Sequence, residues 1–158
     1  MSAPSLSALA GESYCMDTTP ITARLSAIAN SVTALKSLQA LSYEEFAREH
    51  VLHAAAERDF QVAIQAALDI GSIILAEQAV SPVESYKDVF LKLAQIGVLP
   101  QDFAARMVRM AQFRNVLVHL YLEVDLRKVY HYLQHNLGDL EAFARYVGEY
   151  MRKTQTGK

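Results

Sequence analysis

Apolar residues along this chain recur at alternating spacings of three and four, the pattern of a helix with one buried face. The first such stripe consists of Ile21, Leu25, Ile28, Val32, Leu35 and Leu38. It follows Thr19 and Pro20. Proline is favoured at the first helical position, because the amide hydrogen that it lacks would have no partner there. The pattern therefore predicts a first helix that begins at Pro20.

A second helix is expected to begin at Ser42. Ser42 is followed three residues later by Glu45, which is the capping-box pattern. We expect this helix to break or bend near residues 50–53. A long, Ala-rich helix should then cover about 54–78, with Gly71 as its weak point.

The second half of the chain predicts three further helices. Residues 81–84 have the capping-box form and are expected to open a helix that ends by Gly97. Pro100 should start the next helix, and Asp125 should cap a last one with a kink at Gly138. The inward positions of the helix that follows Pro100 are Phe103, Met107, Met110, Phe113, Val116, Leu117 and Leu120.

No stretch of the sequence shows the alternation of apolar and polar residues that predicts a strand. Short loops between long helices favour antiparallel neighbours. The sequence therefore predicts an all-α fold, an antiparallel four- to five-helix bundle formed by residues 20–153. We expect residues 1–19 to be a disordered leader and residues 154–158 a disordered tail.

The composition indicates a soluble, cytoplasmic protein of one domain. The chain has 158 residues, of which 52% are hydrophobic, but no apolar run approaches the roughly 20 residues that cross a bilayer. The first residues lack the basic start and long apolar block of a secretory signal. The one cysteine, Cys15, excludes an intrachain disulfide and fits a reducing cytosol.

The net charge of −2 argues against a protein coated in positive charge for general nucleic-acid binding. The distribution of charge is more informative. No acidic residue lies between Asp102 and Glu123, whereas Arg106, Arg109 and Arg114 lie in that window. Arg106 and Arg109 are therefore candidate RNA contacts, and a solvated helix face with chance clustering is the alternative.

The long helix carries a carboxylate within its apolar stripe. Asp69 falls within about 40° of Val62 on a helical projection. A buried unpaired carboxylate costs several kcal/mol, so Asp69 needs a donor from another helix, and Arg114 is the preferred candidate. Alternatively, Asp69 faces solvent or pairs only structurally. The same flank carries Arg58, Gln65 and Ser72.

The segment from Arg114 to Tyr121 concentrates polar chemistry in an apolar helix. RNA can be cut without metal if one group takes the 2′-hydroxyl proton, another protonates the leaving 5′-oxygen and a cation holds the phosphate. Histidine suits the proton transfers, and the planar fork of arginine suits the phosphate. We therefore predict Arg114 and His119 as catalytic residues, supported by Asn115 and Asp69.

Helix geometry separates these two residues. On a regular helix Arg114 and His119 differ by about 140°, whereas Tyr121 lies within about 20° of Arg114. A two-fold dimer can join the His edge of one subunit to the Arg edge of the other, so we expect a composite site. The residues alone leave open that His119 is an ordinary core histidine and Tyr121 a packing residue.

Two further pairs have metal-ligand spacing, namely His131 with His135 and His119 with Glu123. Neither pair has an evident third ligand. We interpret His131 and His135 as exposed helix surface and expect no metal site.

The chain resembles a known family in several places. Arg114–Tyr121 looks like the Arg-x4-His-x-Tyr signature of HepT-like toxins in the HEPN superfamily. Residues 57–70 are similar to that family's second core helix, and 97–100 with 113–115 are similar to its motif-bearing region. The resemblance covers roughly 21–146.

This resemblance implies a metal-independent endoribonuclease toxin of a type VII toxin–antitoxin system, HEPN-like in fold and dimeric, with tRNA or mRNA as substrate. Arg114 and His119 map to the family's catalytic pair, and Asn115 to the usual polar neighbour. The implied partner is a cognate minimal nucleotidyltransferase antitoxin, which transfers AMP from ATP to Tyr121. The toxin itself would need no cofactor, since the partner uses the ATP. An adenylate near Arg114 would occupy the phosphate site and cancel its charge.

A non-enzymatic role is the alternative to a ribonuclease. The acidic net charge and the interaction-prone helices are also compatible with a non-catalytic helical adaptor that binds or regulates a nucleotidyltransferase.

Overall fold

The computed structural model describes residues 17–119 and 123–157, and these contain seven helices and no strand. The helices are α1 (Thr19–Lys36), α2 (Tyr43–Arg48), α3 (His50–Glu77), α4 (Tyr86–Gln95), α5 (Gln101–Val118), α6 (Leu126–His135) and α7 (Leu137–Thr156). The all-α prediction is confirmed. Most of the predicted leader lies outside the described residues, but Thr19 is already helical.

The four long helices α1, α3, α5 and α7 form an antiparallel bundle, as predicted, with α3 at its centre. The start of α1 lies beside the end of α3, because Arg24 reaches Asp69. The end of α5 lies beside the first half of α3, because Gln61 bonds the Leu117 carbonyl. Both neighbours therefore run against the direction of α3.

Aromatic side chains join α3, α5 and α6 in the core. The ring of Phe113 stacks on that of Tyr132 with centroids 4.0 Å apart, and Phe60 meets Phe113 edge-on at 5.3 Å. Phe60 and Phe113 are buried, and each such burial stabilises the fold by about 1.5–3 kcal/mol. This packing fixes the position of α5 along α3.

The capping box at Ser42 is confirmed. The Glu45 amide donates to Ser42 Oγ at 3.1 Å, and the Ser42 amide donates to Glu45 Oε2 at 3.2 Å. The expected break follows at Glu49, which has extended backbone (φ −95°, ψ 103°). The long central helix then starts at His50, four residues earlier than expected.

The capping box predicted at Ser81–Glu84 is wrong. The next helix begins only at Tyr86, and Ser85 at its N-cap makes no side-chain capping bond. Lys92 Nζ donates to the carbonyls of Ser81 and Pro82, both at 3.1 Å, and holds this segment outside the helix.

The last predicted helix is divided into α6 and α7. Asp125 caps α6 as predicted, accepting from the amides of Arg127 and Lys128. The break falls at Asn136, not at Gly138, and the Asn136 side chain donates to Asp139 at 3.3 Å.

The disordered tail predicted from residue 154 is wrong for its first three residues. Helix α7 continues to Thr156. The Thr154 hydroxyl donates to the carbonyls of Tyr150 and Met151, so it supports the last turns and does not interrupt them.

Among the described helices, α3 alone is long and apolar enough to span a membrane by length and composition. However, 56% of its apolar window is buried inside the protein. The central helix of a bundle passes the same test.

Gly71 brings α3 against α4. A Cβ built there would clash with Val89 Cγ1 and lie 3.1 Å from Leu93 Cδ1. We predict that Gly71→Ala lowers the free energy of unfolding by about 1–2 kcal/mol, because overpacking outweighs the gain in helix propensity. Denaturant titration of the variant measures this.

Gly138→Ala is the matched control, since a Cβ there meets nothing within 4 Å. It should leave stability unchanged or raise it by up to about 1 kcal/mol. Equal stability of Gly71→Ala and wild type would contradict the close packing of α3 on α4.

Candidate active site

An open cleft of about 470 Å³ lies between α1, α3 and α5. Helix α3 forms its floor, and the two neighbouring helices form its walls. Its polar lining consists of Arg24, Arg58, Gln61, Gln65, Asp69 and Arg114. A cleft of this size with convergent polar groups is the usual form of a ligand site.

The floor is the polar flank of α3 that the sequence predicted. Arg58, Gln65 and Asp69 all line the cleft, because residues three, four or seven apart share one helix face. Ser72 is exposed and lies outside the cleft lining. Asp69 is not deeply buried, since its side chain is 40% exposed.

A chain of hydrogen bonds crosses the cleft from α5 to α1. Arg114 Nη2 donates to Gln65 Oε1 at 2.6 Å, and Gln65 Nε2 donates to Asp69 Oδ1 at 2.8 Å. Arg24 Nε donates to Asp69 Oδ2 at 3.4 Å. We call these four residues the cleft network.

The cleft network corrects the prediction that Arg114 pairs directly with Asp69. The cation beside Asp69 is Arg24, which the antiparallel course of α1 brings alongside it. Gln65, one turn earlier on α3, lies between Asp69 and Arg114 and bonds both. Asp69 therefore reaches Arg114 only through the Gln65 amide.

The Arg114 guanidinium is held from several sides. Nη1 donates to Asn115 Oδ1 at 3.3 Å, and the guanidinium carbon lies 5.5 Å from the centre of the Tyr86 ring. Nε is buried and has no acceptor among the described residues. Arg114 is thus fixed in place, while Nη1 and Nη2 each keep a second hydrogen that no described residue accepts and that a ligand can use.

Helix α5 ends at Val118, so its predicted continuation through Leu120 is wrong. His119 has extended backbone (φ −80°, ψ 99°) and is exposed. Gln61 Nε2 donates to the Leu117 carbonyl at 3.1 Å, which satisfies one of the acceptors that a helix end leaves free. The expected 140° relation between Arg114 and His119 therefore does not apply.

The two predicted catalytic residues differ in their relation to the cleft. Arg114 and Val118 line the cleft, whereas His119 is not part of that lining. Tyr121, the predicted AMP acceptor, lies outside the described residues. The structure thus places Arg114, Asn115 and Asp69 in or beside the cleft, with His119 immediately after its wall.

Arg106 and Arg109, the candidate RNA contacts, are not brought into the cleft. Arg106 Nε lies 3.2 Å from Asp139 Oδ1 on α7. Arg109 is exposed and close to Tyr132 on α6, where burial raises the pKa of the phenol and the Arg109 charge lowers it. Both arginines therefore lie on faces of α5 outside the cleft.

Sequence reasoning missed Arg24 and gave Arg58 no role. Arg24 directly precedes Leu25 and lies four residues before Ile28, at the margin of the apolar stripe of α1. A cation at that margin was the available signal, because such a position faces the groove between two packed helices.

The histidine pair on α6 lies on exposed surface, as predicted, with ring centres of His131 and His135 4.6 Å apart. Within residues 17–119 and 123–157, no three His, Cys, Asp or Glu side chains are close enough to hold a metal ion.

Comparison with known proteins identifies relatives over most of the chain. The family model "Ribonuclease HepT-like" matches residues 28–147. The mRNA nuclease HepT of Shewanella oneidensis is 31% identical over 99 residues, covering 63% of this chain and 74% of that protein. The tRNA nuclease HepT of Aphanizomenon flos-aquae is 24% identical over 131 residues, covering 83% and 89%.

A solved structure has the same fold. It is the tri-AMPylated HEPN toxin of Shewanella oneidensis in complex with an MNT antitoxin, with a TM-score of 0.76 and 25% identity. The similarity covers 83% of this chain and 98% of that one. The HEPN-like bundle and the resemblance stated from the signature residues are therefore confirmed, and this chain belongs to the Ribonuclease HepT-like family.

Proposed function

We propose that this protein is a metal-independent endoribonuclease, the cytoplasmic toxin of a toxin–antitoxin pair, whose active site forms between two copies of the chain. The observation that carries this is the fixed, half-buried Arg114 in the cleft. The last cleft residue of α5, Val118, directly precedes the exposed His119. Membership of a family whose relatives are named mRNA and tRNA nucleases supports it.

In the proposed reaction, Arg114 binds the scissile phosphate and His119 takes part in the proton transfers. The 2′-oxygen attacks phosphorus as its proton passes to a base, and the bond to the 5′-oxygen breaks as that oxygen is protonated. The products are a 2′,3′-cyclic phosphate and a 5′-hydroxyl. An arginine whose position is already fixed stabilises the developing negative charge without reorganisation.

Two copies are proposed because one chain presents the groups on different surfaces. Arg114 lies in the cleft wall, whereas His119 is exposed beyond the end of α5. Tyr86 and Val118, 47% and 36% exposed, give apolar surface beside the cleft that a second copy can cover. A two-fold contact there brings His119 of one subunit towards Arg114 of the other.

Gln65 is proposed as a positioning residue for Arg114. Its NH₂ group donates to Asp69, so its carbonyl oxygen must face Arg114. Asp69 thereby sets the orientation of the amide, and Asn115 supports the other terminal nitrogen of the guanidinium. Without Asp69, the amide could turn and present its own donors to the cation.

The proposed partner is a cognate minimal nucleotidyltransferase antitoxin. The similar toxin from Shewanella oneidensis is tri-AMPylated and in complex with an MNT antitoxin. We propose Tyr121, two residues beyond His119, as the AMP acceptor of this chain, with ATP used by the partner only. An anionic adenylate there would compete with RNA phosphate for Arg114.

Loss of either proposed catalytic group should abolish RNA cutting. We expect His119→Ala and Arg114→Ala each to lower the cleavage rate by at least about 100-fold, measured on total RNA in buffer with EDTA. His135→Ala, which removes an exposed imidazole on α6, should cut like wild type. Intact RNA after incubation with unmodified wild-type protein would refute the proposal and favour a non-catalytic adaptor.

Gln65→Leu should impair catalysis more than folding. Leucine has a similar size but offers Arg114 no acceptor, so we expect kcat to fall on the order of tenfold with little change in KM. Gln112→Leu, which changes an exposed glutamine on α5, is the control. An unchanged kcat in Gln65→Leu would contradict the positioning role. A fall in kcat accompanied by a fall in thermal stability would show that the role of Gln65 is merely structural.

Co-expression with the antitoxin should add AMP to the toxin. Intact mass is expected to rise in steps of about 329 Da, and Tyr121→Phe should show none. Peptide mapping that places AMP on another tyrosine, such as the exposed Tyr86, would contradict the proposed acceptor.

A further inference from the structure

Three arginines line the cleft at successive levels along α3. Arg58 belongs to α3 itself, Arg114 reaches α3 at Gln65, and Arg24 reaches it at Asp69. At a rise of about 1.5 Å per residue, Arg58 is about 10 Å from the level of Gln65, and Gln65 is about 6 Å from the level of Asp69. The row therefore spans about 16 Å.

The cleft is cationic although the whole chain has a net charge of −2. Its lining holds three arginines and one carboxylate, Asp69. Arg24 keeps donor capacity, because its contacts among the described residues use Nε and Nη1 only. An anionic ligand is therefore the complement of this surface.

Arg58 in particular is available to a ligand. It is exposed, and the ion pairs of the described residues do not include it. Burial raises the pKa of its acidic neighbour Asp59, despite contributions from Ser31 and Arg58 that lower it. Arg58 has no role in the cleft network, so packing does not explain its place in the lining.

The row matches one strand of nucleic acid. Phosphates on a stacked strand recur every 3.4 Å or so along its axis, so about 16 Å corresponds to about five nucleotides. A concave cleft of about 470 Å³, with α3 as its floor and α1 and α5 as its walls, suits the backbone of one strand better than the convex surface of a duplex. Cationic grooves that follow the backbone are the usual means of binding single strands.

We propose that Arg58 and Arg24 bind phosphates on either side of the phosphate held by Arg114, so that single-stranded RNA runs along α3. We call this row of three arginines the phosphate track. The inference rests on the proposed ribonuclease function and names its substrate class. Phosphate contacts carry no base information, so the track sets strand position and affinity and leaves sequence preference to other groups.

The test measures RNA binding in the full-length protein with His119→Ala, so that the probe stays intact. The probe is a fluorescent 12-nucleotide oligouridine, followed by anisotropy at several salt concentrations. Adding Arg58→Ala should weaken binding about tenfold and reduce the slope of log Kd against log salt by about 0.7. Replacing Arg24 and Asp69 together, by Arg24→Ala with Asp69→Asn, should also weaken binding without leaving an unpaired carboxylate.

Arg145→Ala is the matched control, because it removes one exposed arginine on α7, outside the cleft. We expect it to change Kd by less than twofold. Arg109→Ala tests the exposed face of α5 around Arg109 as an alternative RNA-binding surface. A loss with Arg109→Ala as large as with Arg58→Ala would overturn the track, and so would tighter binding of a blunt RNA duplex than of the single strand.

The phosphate track is also distinguishable from a subunit contact and from the ribonuclease function. If Arg58→Ala converts a dimer to a monomer in light scattering, then Arg58 is a subunit contact and the track is wrong. If wild type cuts RNA but Arg58→Ala binds as tightly as Arg145→Ala, the track fails and the ribonuclease proposal stands. If wild type does not cut RNA but binding depends on Arg58, the ribonuclease proposal fails and the track stands.

Discussion

The cleft depends on one chain of hydrogen bonds that joins three helices, from Arg114 on α5 through Gln65 and Asp69 on α3 to Arg24 on α1. The Arg114 guanidinium has a buried Nε and would be costly without partners, whereas the Asp69 carboxylate is 40% exposed. The Gln65 amide joins them because it can accept at one end and donate at the other. The network thus stabilises the polar cleft and fixes the group proposed to bind phosphate.

The bundle supplies this network only because its helices are in the right register. The stacked rings of Phe113 and Tyr132 hold α5 one residue before Arg114, and the Gln61 bond to the Leu117 carbonyl holds its last turn. The helix then stops, which leaves His119 exposed beside the cleft. A composite site follows naturally from this arrangement, since the cation is fixed inside one subunit while the imidazole is presented outward.

Local signals made much of the fold predictable, whereas contacts between helices did not. The caps at Ser42 and Asp125 depend only on a few neighbouring residues and were predicted correctly. The partner of Asp69 depends on how α1 lies against α3, so Arg24 could not be chosen from spacing alone. The end of α5 at Val118 has no glycine or proline to mark it in the sequence, and the Gln61 bond that satisfies the Leu117 carbonyl comes from another helix.

The central claim is that Arg114 of one subunit and His119 of its partner form one site. Mixing subunits that carry Arg114→Ala with subunits that carry His119→Ala, after unfolding and joint refolding, tests this directly. A shared site predicts recovery of about a quarter of wild-type cleavage, because half of the dimers are mixed and each mixed dimer has one intact pair. No recovery in mixtures that light scattering shows to contain dimers would contradict the account.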